Sequence, residues 1–185
     1  MTKAEMRAIV NRSINERNLC RMFFRYDINC FYYFPLITNE KLLLGIEEDD
    51  FILDGYSIRC YVDLKKVQIR DDKCIDILRN EGLIDSIKIP DIDISNWETV
   101  FSSLQKLNKN IIVEKESLED ENWEYVIGRI DSVFKKFAYV FHFDADGIWG
   151  ESPVRIPYSE ITSISFGTRY VDVFSKYVGD PPGLK

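Results

Sequence analysis

Histidine is almost missing from this chain of 185 residues: His142 is the only one. A catalytic or metal site built on several imidazoles is therefore excluded. The four cysteines, Cys20, Cys30, Cys60 and Cys74, form no CxxC pair and all lie in the first half. Zinc motifs bring their ligands in close pairs, so these residues read as reduced thiols, with no metal and a cytoplasmic location expected. The nine glycines are scattered, and none belongs to a glycine-rich phosphate loop. No apolar run reaches the length of a membrane span, and residues 1–25 lack the apolar core of a signal peptide. Basic charge is also short. The net charge of −7 argues against wholesale binding to a polyanion.

What the chain has is apolar and aromatic content, 45% and 14%, enough to pack cores. It also has an apparent internal repeat. Tyr61-Val-Asp-Leu-Lys-Lys-Val-Gln-Ile69 matches Tyr158-Ser-Glu-Ile-Thr-Ser-Ile-Ser-Phe166 in its apolar and acidic positions. At the same offset Leu42, Leu44 and Ile46 fall on Tyr139, Phe141 and Phe143. A repeat of this size implies two copies of one fold.

Each copy opens on an amphipathic helix. Met6, Ile9, Val10 and Ile14 share one face of residues 3–17, and Trp97, Val100, Phe101 and Leu104 share one face of residues 96–107. Asn96 or Ser95 is suited to cap the second helix. Strands are expected at 19–25, 29–37, 57–61 and 66–70, and at 111–116, 124–133, 154–158 and 162–166. A further strand lies between the second and fourth of each set. In the second copy it shows as Phe137, Tyr139, Phe141 and Phe143 alternating with Ala138, Val140 and His142. Cys74, Ile75, Leu78 and Leu83 have helical spacing, whereas Tyr170, Val171, Phe174, Tyr177 and Val178 fit helix or strand. The domains are expected at 1–83 and 95–185, joined by an irregular linker at 84–94 that contains Pro90. The tail from Gly179 should be frayed.

Val154-Arg-Ile-Pro-Tyr-Ser-Glu-Ile-Thr-Ser-Ile-Ser-Phe166 resembles the strand, single turn and strand that end an Sm fold, and Ser57 to Arg70 is similar. Leu53-Asp-Gly-Tyr-Ser-Ile-Arg59 and Phe143-Asp-Ala-Asp-Gly-Ile-Trp149 also resemble uncharacterised bacterial proteins of this build. The resemblance implies an α+β protein of two tandem Sm-like/SH3-like small barrels, each a helix followed by about five antiparallel strands. The RNA-reading signatures of the Sm family are absent, so it implies fold rather than RNA binding.

Four candidate sites follow from the residues. The segment 1–25 carries Lys3, Arg7, Arg12, Arg17, Arg21 and Arg25 against Glu5 and Glu16, which makes the five arginines the candidate nucleic-acid contacts. The run Phe31-Tyr-Tyr-Phe34 offers stacking faces or, more simply, packing on both sides of a strand. His142 is a candidate catalyst only if a concave pocket joins it to an acid. Asp144, Asp146 and Glu151 surround a turn at Gly147 and suit a hard cation or, more simply, a turn whose aspartates cap backbone N–H groups. The expected function is a non-enzymatic interaction or assembly module that binds a protein partner, as a monomer or small homo-oligomer, without cofactor or membrane. RNA or single-stranded nucleic acid bound through the basic segment is the alternative.

Overall fold

Residues 1–26, 29–119 and 122–182 are described by the structure, a computed structural model. Part of the acidic loop Glu119-Asp120-Glu121 and the last three residues of the tail lie outside this range. The chain is α+β and divides into two units, Met1–Pro90 and Asp91–Lys185. The division falls within the expected linker, but that segment is not irregular throughout. It contains a one-turn helix, Leu83–Ser86, and Ile84, Ile92 and Ile94 are buried.

In the first unit, helix α1 (Lys3–Glu16) starts at a capping box. The Thr2 hydroxyl accepts the Glu5 N–H, and the Glu5 carboxylate accepts the Thr2 N–H. The helix stops at Arg17, which turns left-handed at φ 53°. Five strands follow: β1 (Cys20–Phe24), β2 (Phe31–Thr38), β3 (Leu42–Asp49), β4 (Ile52–Cys60) and β5 (Leu64–Ile69). They pair antiparallel in the order β5-β1-β2-β3-β4. A three-residue 3-10 turn, Tyr61–Asp63, carries the chain from β4 at one edge to β5 at the other. So short a link requires the sheet to curl until its edges approach at that turn. Among the described residues of this unit no ladder joins β4 to β5, so the sheet is open rather than a closed barrel.

Both faces of the curled sheet are covered. On one, Met6 and Val10 of α1 pack with Cys20, Met22, Phe24, Tyr33, Leu43, Leu64 and Val67. On the other, Leu19, Phe34, Leu36 and Ile46 pack with Leu78 of helix α2 (Lys73–Asn80) and Ile84 of helix α3 (Leu83–Ser86). The run Phe31-Tyr-Tyr-Phe34 is divided between these clusters, Phe31 and Tyr33 on the α1 side, Tyr32 and Phe34 on the α2 side. It is packing, not a stacking platform. The β3–β4 connection is two residues, Asp50 and Phe51, both left-handed at φ 46° and 65°. This is the hairpin geometry whose twist matches the flanking strands. The Glu48 carboxylate accepts the Phe51 N–H and braces the turn.

The second unit repeats the order. Helix α4 (Trp97–Leu107) is capped by Asn96 and ends at left-handed Asn108. Strands β6 (Asn110–Lys115), β7 (Glu124–Val133), β8 (Phe137–His142), β9 (Val154–Pro157) and β10 (Ser163–Phe166) pair as β10-β6-β7-β8-β9. The ladder slips between Ile130 and Ser132, as it does between Pro35 and Ile37 in the first unit. Such bulges add the local bend that a strongly curved sheet needs. The terminal segment resolves as helix α5, Arg169–Phe174.

The structure corrects the alignment of the repeat by two residues. Tyr61 donates its N–H to the Lys41 carbonyl, and Tyr158 donates to Lys136. Leu42 therefore corresponds to Phe137, not Tyr139. Every side chain keeps its face, because a slip of two leaves the pleat unchanged. The extra residues lie between β8 and β9, where 143–153 replace the two-residue turn. Within and just beyond β8, Ala138 and Val140 are fully buried and Phe141 and Phe143 are buried, whereas Tyr139 is only half-buried against Phe134 and Phe137. Both faces of β8 are covered, and alternation alone does not tell two covered faces apart.

Candidate functional site

The basic segment is wired into its own unit. The Lys3 ammonium donates to the carbonyls of Tyr61, Val62 and Leu64, at 3.2, 2.7 and 3.0 Å. It thereby caps the turn between β4 and β5. Arg7 donates to the carbonyls of Asn39 and Glu40 and lies 4.5 Å over the Tyr61 ring. Arg12 pairs with Glu16 one helical turn on. Arg21 donates to the Tyr32 hydroxyl at 3.3 Å. Arg25 stands 3.9 Å from Asp63. Arg17 is exposed at the end of α1 and serves as its left-handed cap. The five arginines thus sit on a helix, a cap, a strand and a loop, mostly engaged by carbonyls, rings and carboxylates. Phosphate contacts release counterions only when the cations are available.

A second cluster surrounds Tyr32. Arg70 lies 4.5 Å over its ring and Arg21 5.5 Å. Arg70 also holds Asp72 at 2.6 Å and buried Glu48 at 3.8 Å, and its Nη2 donates to Cys74 Sγ at 2.9 Å. The Arg70 hydrogen bond is the largest cause holding the Asp72 carboxyl below its ordinary value, and the Cys74 N–H adds to it. Cys20 is a different kind of thiol. Burial pushes its pKa up to about 11, against a smaller lowering by the Ser13 hydroxyl, so it is inert packing.

An open concave surface with chemical character lies in the second unit. A cleft of about 330 Å³ is lined by Tyr125 and Ile127 of β7, His142 and Phe143 at the end of β8, Asp144, and Tyr170 and Phe174 of α5. Volumes in this range suit small ligands or single side chains. Its floor is aromatic. Phe143 is 2% exposed and meets Trp149 at 5.0 Å and Phe174 at 5.2 Å, both edge-on. Its rim is open, with Tyr125 47% and Tyr170 56% exposed. Burial pushes the Tyr125 hydroxyl up to about 12, and the neighbouring Tyr170 and Glu114 add to the rise.

His142 and Asp144 therefore do line one cleft, the juxtaposition that a catalytic reading requires. Their bonding does not develop it. Asp144 Oδ1 accepts the N–H groups of Asp146 and Ile148, which caps the turn. The His142 ring packs against Gly150, where an added Cβ would lie 2.6 Å from Cε1. Its Nδ1 is buried and has no hydrogen-bond partner among the described residues, so no orienting carboxylate is attached to it. Among the described residues no three His, Cys, Asp or Glu side chains are grouped for a metal ion, and no helix is long and apolar enough to cross a membrane.

Sequence reasoning missed Tyr125, Tyr170 and Phe174 as a group. The usable signal was the four-residue spacing of Tyr170 and Phe174, which places both on one side of a helix. Tyr125 joins them only through the fold. Compared with protein-family models, curated proteins and solved structures, this chain finds no match.

Proposed function

We propose that this chain is a non-enzymatic interaction module that engages a protein partner, built on two Sm-like small barrels that stay open between their fourth and fifth strands. The barrel reading is supported by the shared strand order, in which the fifth strand lies beside the first, and by the short link between fourth and fifth strands in each unit. The observation that carries the functional reading is the aromatic cleft. Exposed tyrosines around a concave apolar floor are the composition of interface centres. Trp123 and Tyr177, 52% and 82% exposed, lie close in sequence to its lining residues. The engagement of most of the basic segment by its own unit favours a protein partner over nucleic acid.

The test is site-specific photocrosslinking in cells of the native host, with p-benzoylphenylalanine at Tyr170 and, as control, at exposed Lys65 of β5. A discrete protein adduct from position 170 alone supports the reading. Equal labelling from both positions, or an adduct with RNA, overturns it.

A further inference from the structure

We infer that the cleft of the second unit receives a positively charged side chain, an arginine or lysine presented by the partner. The inference rests on the interaction reading above and specifies what the cleft recognises.

Three observations lead to it. First, this chain habitually lays cations on its aromatic rings. Arg59 lies 4.1 Å over Phe24, Arg155 4.3 Å over Phe137, Arg70 4.5 Å over Tyr32 and Lys66 5.1 Å over Phe23. Tyr125, Tyr170 and Phe174 are a group of rings at one cleft over which, among the described residues, no cation lies. Second, no lysine or arginine lines the cleft. Third, its charge is negative. Asp144 is exposed at the rim, with Oδ1 committed to the turn and Oδ2 left over. Glu114 stands directly across from Tyr125 in the β6–β7 ladder. Burial is the main cause that raises Tyr125, and Glu114 adds to the rise, which is the polarity a cation seeks. A ring quadrupole attracts a guanidinium or ammonium over its face, and a carboxylate beside the ring adds a charge-assisted hydrogen bond. Neutral apolar ligands would gain from the floor but leave the carboxylate unused.

The test titrates the whole protein with N-acetyl-arginine amide, N-acetyl-lysine amide and N-acetyl-citrulline amide, followed by tyrosine side-chain and amide NMR shifts. Citrulline keeps the shape of arginine and removes its charge. The expected result is saturable shifts at Tyr125, Tyr170 and Asp144 with the cationic probes, and about 5–30-fold weaker binding of citrulline. Tyr170→Ala should weaken the arginine probe by a similar factor. Asp144→Asn, which keeps an oxygen to cap the turn, should weaken it several-fold. Because Tyr170 is more than half exposed, its loss leaves the core intact, and unchanged amide shifts elsewhere verify that. Citrulline binding as tightly as arginine overturns the charge assignment and leaves the interaction reading standing. Shifts with no probe, or shifts unaffected by Tyr170→Ala, overturn the assignment of this cleft. Failure of the interaction reading itself shows separately, in the crosslinking at position 170.

Discussion

Phe143 carries the sharpest test of the second unit. Its ring is 2% exposed and packs edge-on against Trp149 and Phe174. Ile112, Ile127, Val171 and Val178 complete the cluster. Replacing it by alanine removes a buried ring and leaves a cavity bounded by a strand, a loop and a helix, so the expected cost is about 3–5 kcal/mol. Two aromatic pairs at about 0.5–1.5 kcal/mol each make up part of this. Phe143→Leu, which keeps most of the apolar volume, should lose only about 1–3 kcal/mol. The measurement is favourable because Trp97, Trp123 and Trp149 all lie beyond residue 90. Tryptophan fluorescence during urea unfolding therefore reads the second unit alone. With a slope of about 1–3 kcal/mol per molar urea, the alanine midpoint should fall by more than about 1 M. An alanine variant that loses less than about 1 kcal/mol would place Phe143 at the surface, and the floor of the cleft would be wrongly built.

Two further outcomes concern the first unit. Asp72 is held below its ordinary value by Arg70 in the fold. Its contribution is therefore complete above the unfolded value of 3.8 and is lost as pH falls through the lowered folded one. Urea unfolding followed by circular dichroism at about pH 5 and pH 3 should show a steeper acid loss in the wild type than in Asp72→Asn, and equal losses would sever Asp72 from Arg70. Phe51 occupies a left-handed position at φ 65°, where a non-glycine residue costs about 1–2 kcal/mol. Phe51→Gly should raise stability by up to about 1 kcal/mol in the same assay, and a loss instead would mean that its half-exposed ring makes contacts worth more than the strain.

The helices were legible because their signals are local: apolar stripes at helical spacing and, for the second, an Asn96 cap, whereas the Thr2–Glu5 capping box of the first was seen only in the fold. The succession of strands along the chain was legible through the repeat, but their order across the sheet was not. The alignment slipped by two residues because the alternation of β3 and β8 looks the same at any even offset, and only the bonds of Tyr61 and Tyr158 fix the register. The fate of the arginines was not legible. Arg7 is held by carbonyls 32 and 33 residues away and Lys3 by others 58 to 61 away, and a main-chain acceptor leaves no trace in side-chain pattern. The cleft was hidden for the same reason, since Tyr125 and Tyr170 meet across three strands' worth of intervening chain.

The unequal hairpins of the two units set what each can be made to do. Where β3 turns into β4 in two residues, the ends of the strands are closed off by Glu48 and its braced turn. Where β8 leads to β9 through residues 143–153, the chain has room to fold Trp149 back on Phe143 and to carry Asp144 to the rim. Lengthening a connection is entropically cheap, since each doubling costs only about 0.6 kcal/mol. A scaffold of this kind therefore separates its tasks. The ladders and buried helix faces tolerate little change, while one loop supplies Phe143 and Asp144 to a cleft whose tyrosines come from β7 and α5. Transplanting 143–153 onto β3 and β4 is the natural way to ask whether the loop keeps its folded-back shape without that strand and helix beside it.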